Sequence, residues 1–112
     1  MDKLVKYRNL IMETLSGYAK PSPNQQKGIE EQLLFDTERD HYQVLALGWE
    51  KGRRVYFCVL HLDIRNGKIW LQENSTDFDI IAVLEEKGVP KSDIVLGFQP
   101  EDVRGMTEYA MA

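Results

Sequence analysis

The apolar positions of residues 2–19 recur at steps of three and four: Leu4, Tyr7, Ile11, Leu15 and Tyr18. That spacing lines one face of a helix. Asp2 stands at the end where the helix dipole favours a negative charge. Pro21 and Pro23 are expected to stop the helix, inside a linker-like segment at 20–28 (KPSPNQQKG). The period then changes from helical to two. In residues 29–36 (IEEQLLFD), Ile29, Leu33 and Phe35 fall on one face. Residues 41–50 and 53–63 are apolar on both faces, as central strands are, and 68–73 are mixed, as an edge strand would be. Asn66-Gly67 is a strong hairpin signal, and Glu50–Gly52 marks the hairpin before it. In residues 75–90 (STDFDIIAVLEEKGVP) a second helix is expected, capped by Ser75 or Thr76 and closed at Gly88 and Pro90. A short extended run follows at Ile94–Phe98. The expected fold is α+β: an N-terminal helix, a four-stranded antiparallel β-meander, a second helix and a short C-terminal extended segment, in one domain over 1–112.

The turns set a register, and the register gathers polar side chains. With Glu38 and Arg39 as the first hairpin loop, Asp36 lies opposite His41. With Glu50–Gly52 as a three-residue loop, His41 lies opposite His61, and a two-residue Asn66-Gly67 turn puts Gln72 opposite His61. Directly opposed side chains interact, so the expected row reads Asp36, His41, His61, Gln72. Two imidazoles and a carboxylate are also the donors of a first-row metal or of acid–base chemistry. Yet HExxH and paired CxxC spacings are absent, and Asp, Glu and Arg gather in turns because they bond their own backbone. The row therefore reads as a hydrogen-bonded rim or a contact surface that also includes Glu38 and Asp40. No catalytic residue, metal ligand or cofactor is assigned.

The same parity divides the sheet into faces. Phe35, Tyr42, Val44, Ala46, Tyr56, Cys58, Leu60 and Leu62 are expected beneath the helices. The opposite face still carries Leu45, Leu47, Trp49, Val55, Phe57, Val59 and Trp70, although a face left in water should be polar. Leu45, Leu47, Trp49, Val55, Phe57 and Trp70 are thus the expected oligomer face, since large apolar patches mark interfaces. Cys58 and His61, three apart on one strand, are expected on opposite faces, which argues against a Cys–His dyad.

Composition narrows the function classes. The formal net charge is -4, which counts against direct DNA binding, because phosphate contacts call for basic surplus. Lys51, Arg53 and Arg54 cluster at one hairpin, but Glu50 offsets them. One cysteine forms no internal disulfide and fits a reducing compartment. The charged N-terminus is unlike a signal peptide, and no apolar run reaches membrane length. The expectation is a cytoplasmic protein.

The segments MDKLVKYR, DTERDHYQV, LGWE, RRVY, CVLHLDI, GKIWLQ, GVPKSDIVLGF and TEYA, in this order, resemble the XisI-like family, the fdxN-element excision controlling factors. The resemblance spans nearly the whole chain. It implies an accessory factor for programmed excision of a DNA element from a nitrogen-fixation operon in heterocyst-forming cyanobacteria. A separate site-specific recombinase performs the strand exchange. It also implies a partner, an XisH-like protein whose family looks nuclease-like in fold, and no catalytic residues on this side. The expected function is a non-enzymatic controlling factor acting through protein contacts, as a homo-oligomer, with an XisH-like protein, or both. Two alternatives stay open: an antitoxin-like inhibitor of a nuclease-like XisH partner, and a metal-binding or hydrolase domain using Asp36, His41 and His61.

Overall fold

The structure, a computed structural model, describes residues 2–19 and 28–112. The stops expected at Pro21 and Pro23, and the linker around them, lie outside the described residues. The first helix, α1, runs Lys3–Tyr18, and Asp2 caps it by accepting a hydrogen bond from the Leu4 N–H. Four antiparallel strands follow as β1 (Ile29–Asp36), β2 (His41–Glu50), β3 (Arg53–Arg65) and β4 (Lys68–Asn74). Then come α2 (Ile80–Glu86), a 3-10 turn at Lys91–Asp93, β5 (Ile94–Leu96) and the short α3 (Glu101–Arg104).

The expected α+β class is the one observed, with one more strand. The run at 94–98 contributes β5, which pairs parallel with β4 and makes the sheet order β1-β2-β3-β4-β5. β4 is therefore an internal strand and not the edge its mixed pattern predicted. A parallel pairing needs a crossover, and α2 supplies it. The cap of α2 also differs from expectation. Asp79, not Ser75 or Thr76, accepts from the Ala82 N–H at 3.1 Å. Thr76 is held one turn earlier, its hydroxyl donating to Asn74 Oδ1 at 2.6 Å. The helix ends as expected: Val89 N–H bonds the Leu84 carbonyl and Gly88 N–H the Glu85 carbonyl, the paired bonds of a Schellman motif.

α1 buries Tyr7, Leu10, Ile11 and Leu15 against one face of the sheet, where Tyr42, Val44, Leu60, Leu62, Ile69 and Leu71 are all buried. Ile80 and Leu84 of α2 close the same core. Among the described residues, no helix is long and apolar enough to cross a membrane.

Polar ties fix α1 to its surroundings. Arg8 grips Asp40 with two bonds, Nε to Oδ1 at 2.8 Å and Nη2 to Oδ2 at 3.2 Å, and Tyr42 donates to the same Oδ1. At the other end, Asp93 Oδ2 accepts from the Tyr7 hydroxyl at 2.5 Å and pairs with Lys3 Nζ at 2.8 Å. Burial pushes the Asp93 carboxyl up, but the bonds from Lys3 and Tyr7 outweigh it and hold the group below its ordinary value. A carboxyl depressed in the folded state stabilises the fold above its unfolded pKa of about 4. That contribution is lost as pH falls through the folded value. Asp93→Asn is therefore expected to cost about 1 kcal/mol at pH 7, since the Lys3 side is exposed and screened. The gap between variant and native should close as pH falls from about 4 toward 2. Urea midpoints at the two ends of that range check it, and a gap that stays constant would remove the linkage.

Candidate functional site: a buried aspartate between two histidines

Three hairpins and two bulges decide which polar groups meet. The first hairpin closes through a four-residue turn at 37–40, which keeps Asp36 opposite His41 as expected. The second is tighter than expected. Glu50 pairs with Arg53, so the loop is Lys51-Gly52, both at positive φ (50° and 78°), as a two-residue hairpin turn requires. This moves the register by one. β3 then carries a β-bulge: Val44 faces Leu60 and Leu45 faces Cys58, so Val59 is an extra residue. The bulge moves the register by one again and restores the parity.

The outcome corrects the expected row. His41 lies opposite Asp63, not His61, and His61 lies opposite Gln43. The Asn66-Gly67 turn has the expected two residues, but β4 bulges at Gln72, so His61 faces Glu73 and not Gln72. His41, His61 and Gln72 still converge, and the group they converge on is Asp63. Only 2% of Asp63 is exposed, and it is the one buried charged residue among those described. His41 Nδ1 and His61 Nε2 each lie 2.8 Å from its Oδ1. Gln72 Nε2 donates to Oδ2 at 3.1 Å, and Arg65 Nη2 reaches the same oxygen at 3.4 Å.

An ionised carboxylate offers acceptors alone, so both imidazole nitrogens that touch it carry protons. His61 has a second constraint. Gln43 Nε2 lies 3.4 Å from its Nδ1, which accordingly accepts, leaving the proton of the neutral ring on Nε2. Four donors thus fill the four lone-pair positions of Asp63. Burial pushes its carboxyl up, but the bonds from His41, His61 and Gln72 hold it below the ordinary carboxylate range. Above this cluster lies an open concavity of about 620 Å³, walled on the β1 side by Leu34 and Asp36.

Asp36 itself stays apart from the cluster. Its Oδ1 accepts the backbone N–H groups of Glu38 and Arg39 at 3.0 and 2.9 Å, and Oδ2 pairs with Arg39. It therefore folds the turn, and those bonds hold its carboxyl below the usual range. Glu38 is exposed, and Asp40 is spent on Arg8 and Tyr42. Asp63 was missed by sequence reasoning although a signal was present. An acid inside an apolar strand, two residues from His61, must share its face.

The bulge at Val59 also corrects the two faces. Val55 and Phe57 lie opposite Gly48 and Ala46, on the side that carries the helices but beyond their reach, with Phe57 47% exposed. Tyr56 and Cys58 move to the other side, opposite Leu47 and Leu45. Cys58 therefore shares the face of His61, but its thiol points to the Leu60 carbonyl, and burial pushes the thiol up. Trp70, opposite Asp63, stays on the face away from the helices but is covered there and so is not part of an open oligomer face. It lies between the Arg65 and Arg104 guanidinium groups, 5.3 and 5.4 Å from them, beneath the C-terminal segment. Leu45, Leu47 and Trp49 stay together on the face opposite the helices. With Tyr56 they form an apolar strip along the β2–β3 hairpin, Trp49 being 59% and Tyr56 64% exposed. Arg54 caps the strip, 5.6 Å over the Trp49 ring.

The family model described as XisI protein matches residues 1–111. The chain belongs to the XisI family. A solved structure of an XisI-like protein from Anabaena variabilis ATCC 29413 is 46% identical to it, with a TM-score of 0.91, covering 97% of this chain and 99% of that one. A second, described as the fdxN element excision controlling factor XisI from the same organism, is 40% identical, with a TM-score of 0.87, covering 99% of this chain and all of that one. No curated protein matches. The XisI fold is thus the whole of the described chain, from the helix cap at Asp2 to the β-bridge between Val95 and Ala110. The resemblance carried by DTERDHYQV and CVLHLDI agrees with this result. In the XisI fold these two segments supply His41, His61 and Asp63.

Proposed function

We propose that this chain is an excision controlling factor that acts through protein contacts and does no chemistry of its own. The observation that carries the reading is the 40% identity, over essentially both full chains, to a protein described as an fdxN element excision controlling factor. The surface fits a role in contacts. The β2–β3 hairpin presents Leu45, Leu47, Trp49 and Tyr56 as one apolar strip, with exposed Trp and Tyr of the kind that dominate interface energetics. The occupants we propose are an XisH-like protein, a second copy of this chain, or both, in the cytoplasm. Direct DNA binding is not part of the reading: Arg54 is engaged with Trp49 and the Gly48 carbonyl, and the net charge is -4.

Co-expression with the XisH-like protein of the same genome, followed by affinity capture and light scattering, tests this. A complex or a dimer is expected at micromolar concentration. Trp49→Glu or Tyr56→Glu should weaken it about 30-fold, the loss of one central aromatic anchor. Separate elution of both chains, with this one monomeric, would end the reading. The variant in which the protein neutralises a nuclease-like partner makes a further demand on the same experiment. The partner alone should damage cellular DNA, and co-expression should relieve the damage.

A further inference from the structure

We propose that His41, His61 and Asp63 form a binding site for one divalent first-row transition-metal ion, with its open positions facing the concavity. This goes beyond the contact function above and does not rest on it. One donor atom from each residue lies within 4.8 Å of the others. The donors come from two neighbouring strands of a sheet, a rigid support that holds ligand geometry without loop rearrangement.

The donor set indicates the kind of ion. Both imidazole nitrogens stand 2.8 Å from Asp63 Oδ1. Two metal–ligand bonds of about 2.1 Å span roughly 3.0 Å when they meet at a right angle and about 3.4 Å at a tetrahedral angle. Both separations are hydrogen bonds of the ion-free cluster and lie close to these spans, so small shifts bring the donors around one ion, and two imidazoles with one carboxylate suit a divalent first-row transition metal. The surroundings fit a ligand set. Gln72 and Arg65 hold Oδ2, which leaves Oδ1 to the ion. Gln43 reaches the far nitrogen of His61. His41 is half exposed, and the concavity gives an entry path and room for bound water.

The proton count also closes. In the ion-free state His41 donates from Nδ1 and His61 from Nε2. An ion that takes those two nitrogens moves each proton to the other nitrogen of its own ring. His41 then points its N–H to water, and His61 points its N–H to the Gln43 amide, turned to present oxygen. No net proton is released from two neutral rings.

The test uses the full chain without a histidine tag, stripped with chelator and titrated with cobalt(II), with the visible ligand-field bands as readout. Saturation at one ion per chain is expected, at micromolar concentrations. His41→Ala, at a half-exposed position that leaves the core intact, should weaken binding at least about 100-fold. Gln72→Ala should weaken it about 10-fold, because the carboxylate then loses its anchor. His61→Ala, checked for folding by circular dichroism, should also abolish saturation. Two outcomes overturn the proposal. One is no saturable binding of cobalt(II), nickel(II), zinc(II) or anaerobic iron(II) up to about 100 μM. The other is binding that His41→Ala leaves unchanged, which places the ion elsewhere.

Discussion

Asp63→Ala should cost about 3–5 kcal/mol of folding free energy, the loss expected when one partner of a buried charged network is removed. The side chain is 2% exposed and is the acceptor on which four donors converge. Alanine leaves Gln72 Nε2 and the inner nitrogens of two rings without the oxygen they were built around. Arg65 contributes least, because it is about half exposed and can turn to water. Asp63→Asn should cost less, about 1–3 kcal/mol, since the amide keeps one acceptor but turns a donor toward another donor. Asp36→Ala should cost the least of the three, because its bonds fold an exposed turn. Urea denaturation at pH 7 in the presence of chelator checks the order, with the slope unchanged across the set. An Asp63→Ala variant within 1 kcal/mol of the native chain, or an Asp36→Ala variant below it, would show that the cluster is not the polar keystone of the sheet.

Gly48→Ala should be comparably severe, at about 3 kcal/mol or more, combining backbone strain with lost pairing at the start of β1. Gly48 sits at φ +151°, and a Cβ there would stand 1.9 Å from the Gly28 carbonyl oxygen and 2.9 Å from Ile29 Cα. Both obstacles are backbone, and that carbonyl is already bonded to the Trp49 N–H at 3.0 Å. The methyl fits only if β1 moves off β2. Gly52→Ala is the control. It also sits at positive φ, +78°, but its Cβ would meet nothing within 4 Å. It should therefore show the left-handed strain alone, about 1–2 kcal/mol. Thermal or urea unfolding of the pair separates steric contact from strain. Equal losses would mean that β1 yields freely at Gly28. Hydrogen exchange should show the Gly48→Ala loss concentrated in the first residues of β1.

The two variants mark where reading the sequence succeeds and where it stops. Apolar periodicity located α1 and the starts of all four antiparallel strands, because burial on one face repeats every 3.6 or every two residues regardless of what the element packs against. The Asn66-Gly67 turn was legible because its backbone needs positive φ at both positions. The fifth strand was visible only as an extended run. Its pairing with β4 depends on where α2 returns the chain. The candidate site was half legible. His41, His61 and Gln72 were placed on one face, but the carboxylate beside them was read as Asp36, opposite His41, and not as Asp63.

The reason is physical. Periodicity is local, so composition and pattern alone determined the α+β class, the hairpin order and the side chains able to bind or contact. Register is cumulative. Each one-residue change flips every later side chain to the other face. The tighter Lys51-Gly52 turn and the bulge at Val59 cancel beyond Leu60, which returns His61 to the face of His41. Between the turn and the bulge they do not cancel, so Tyr56 and Phe57 exchange faces. A bulge forms where packing against α1 and the twist of β3 are best satisfied together, and no short window of sequence records that balance. Tertiary structure alone therefore decided that Asp63 is the buried acceptor, that Trp70 is covered, and that the exposed apolar strip runs through Trp49 and Tyr56.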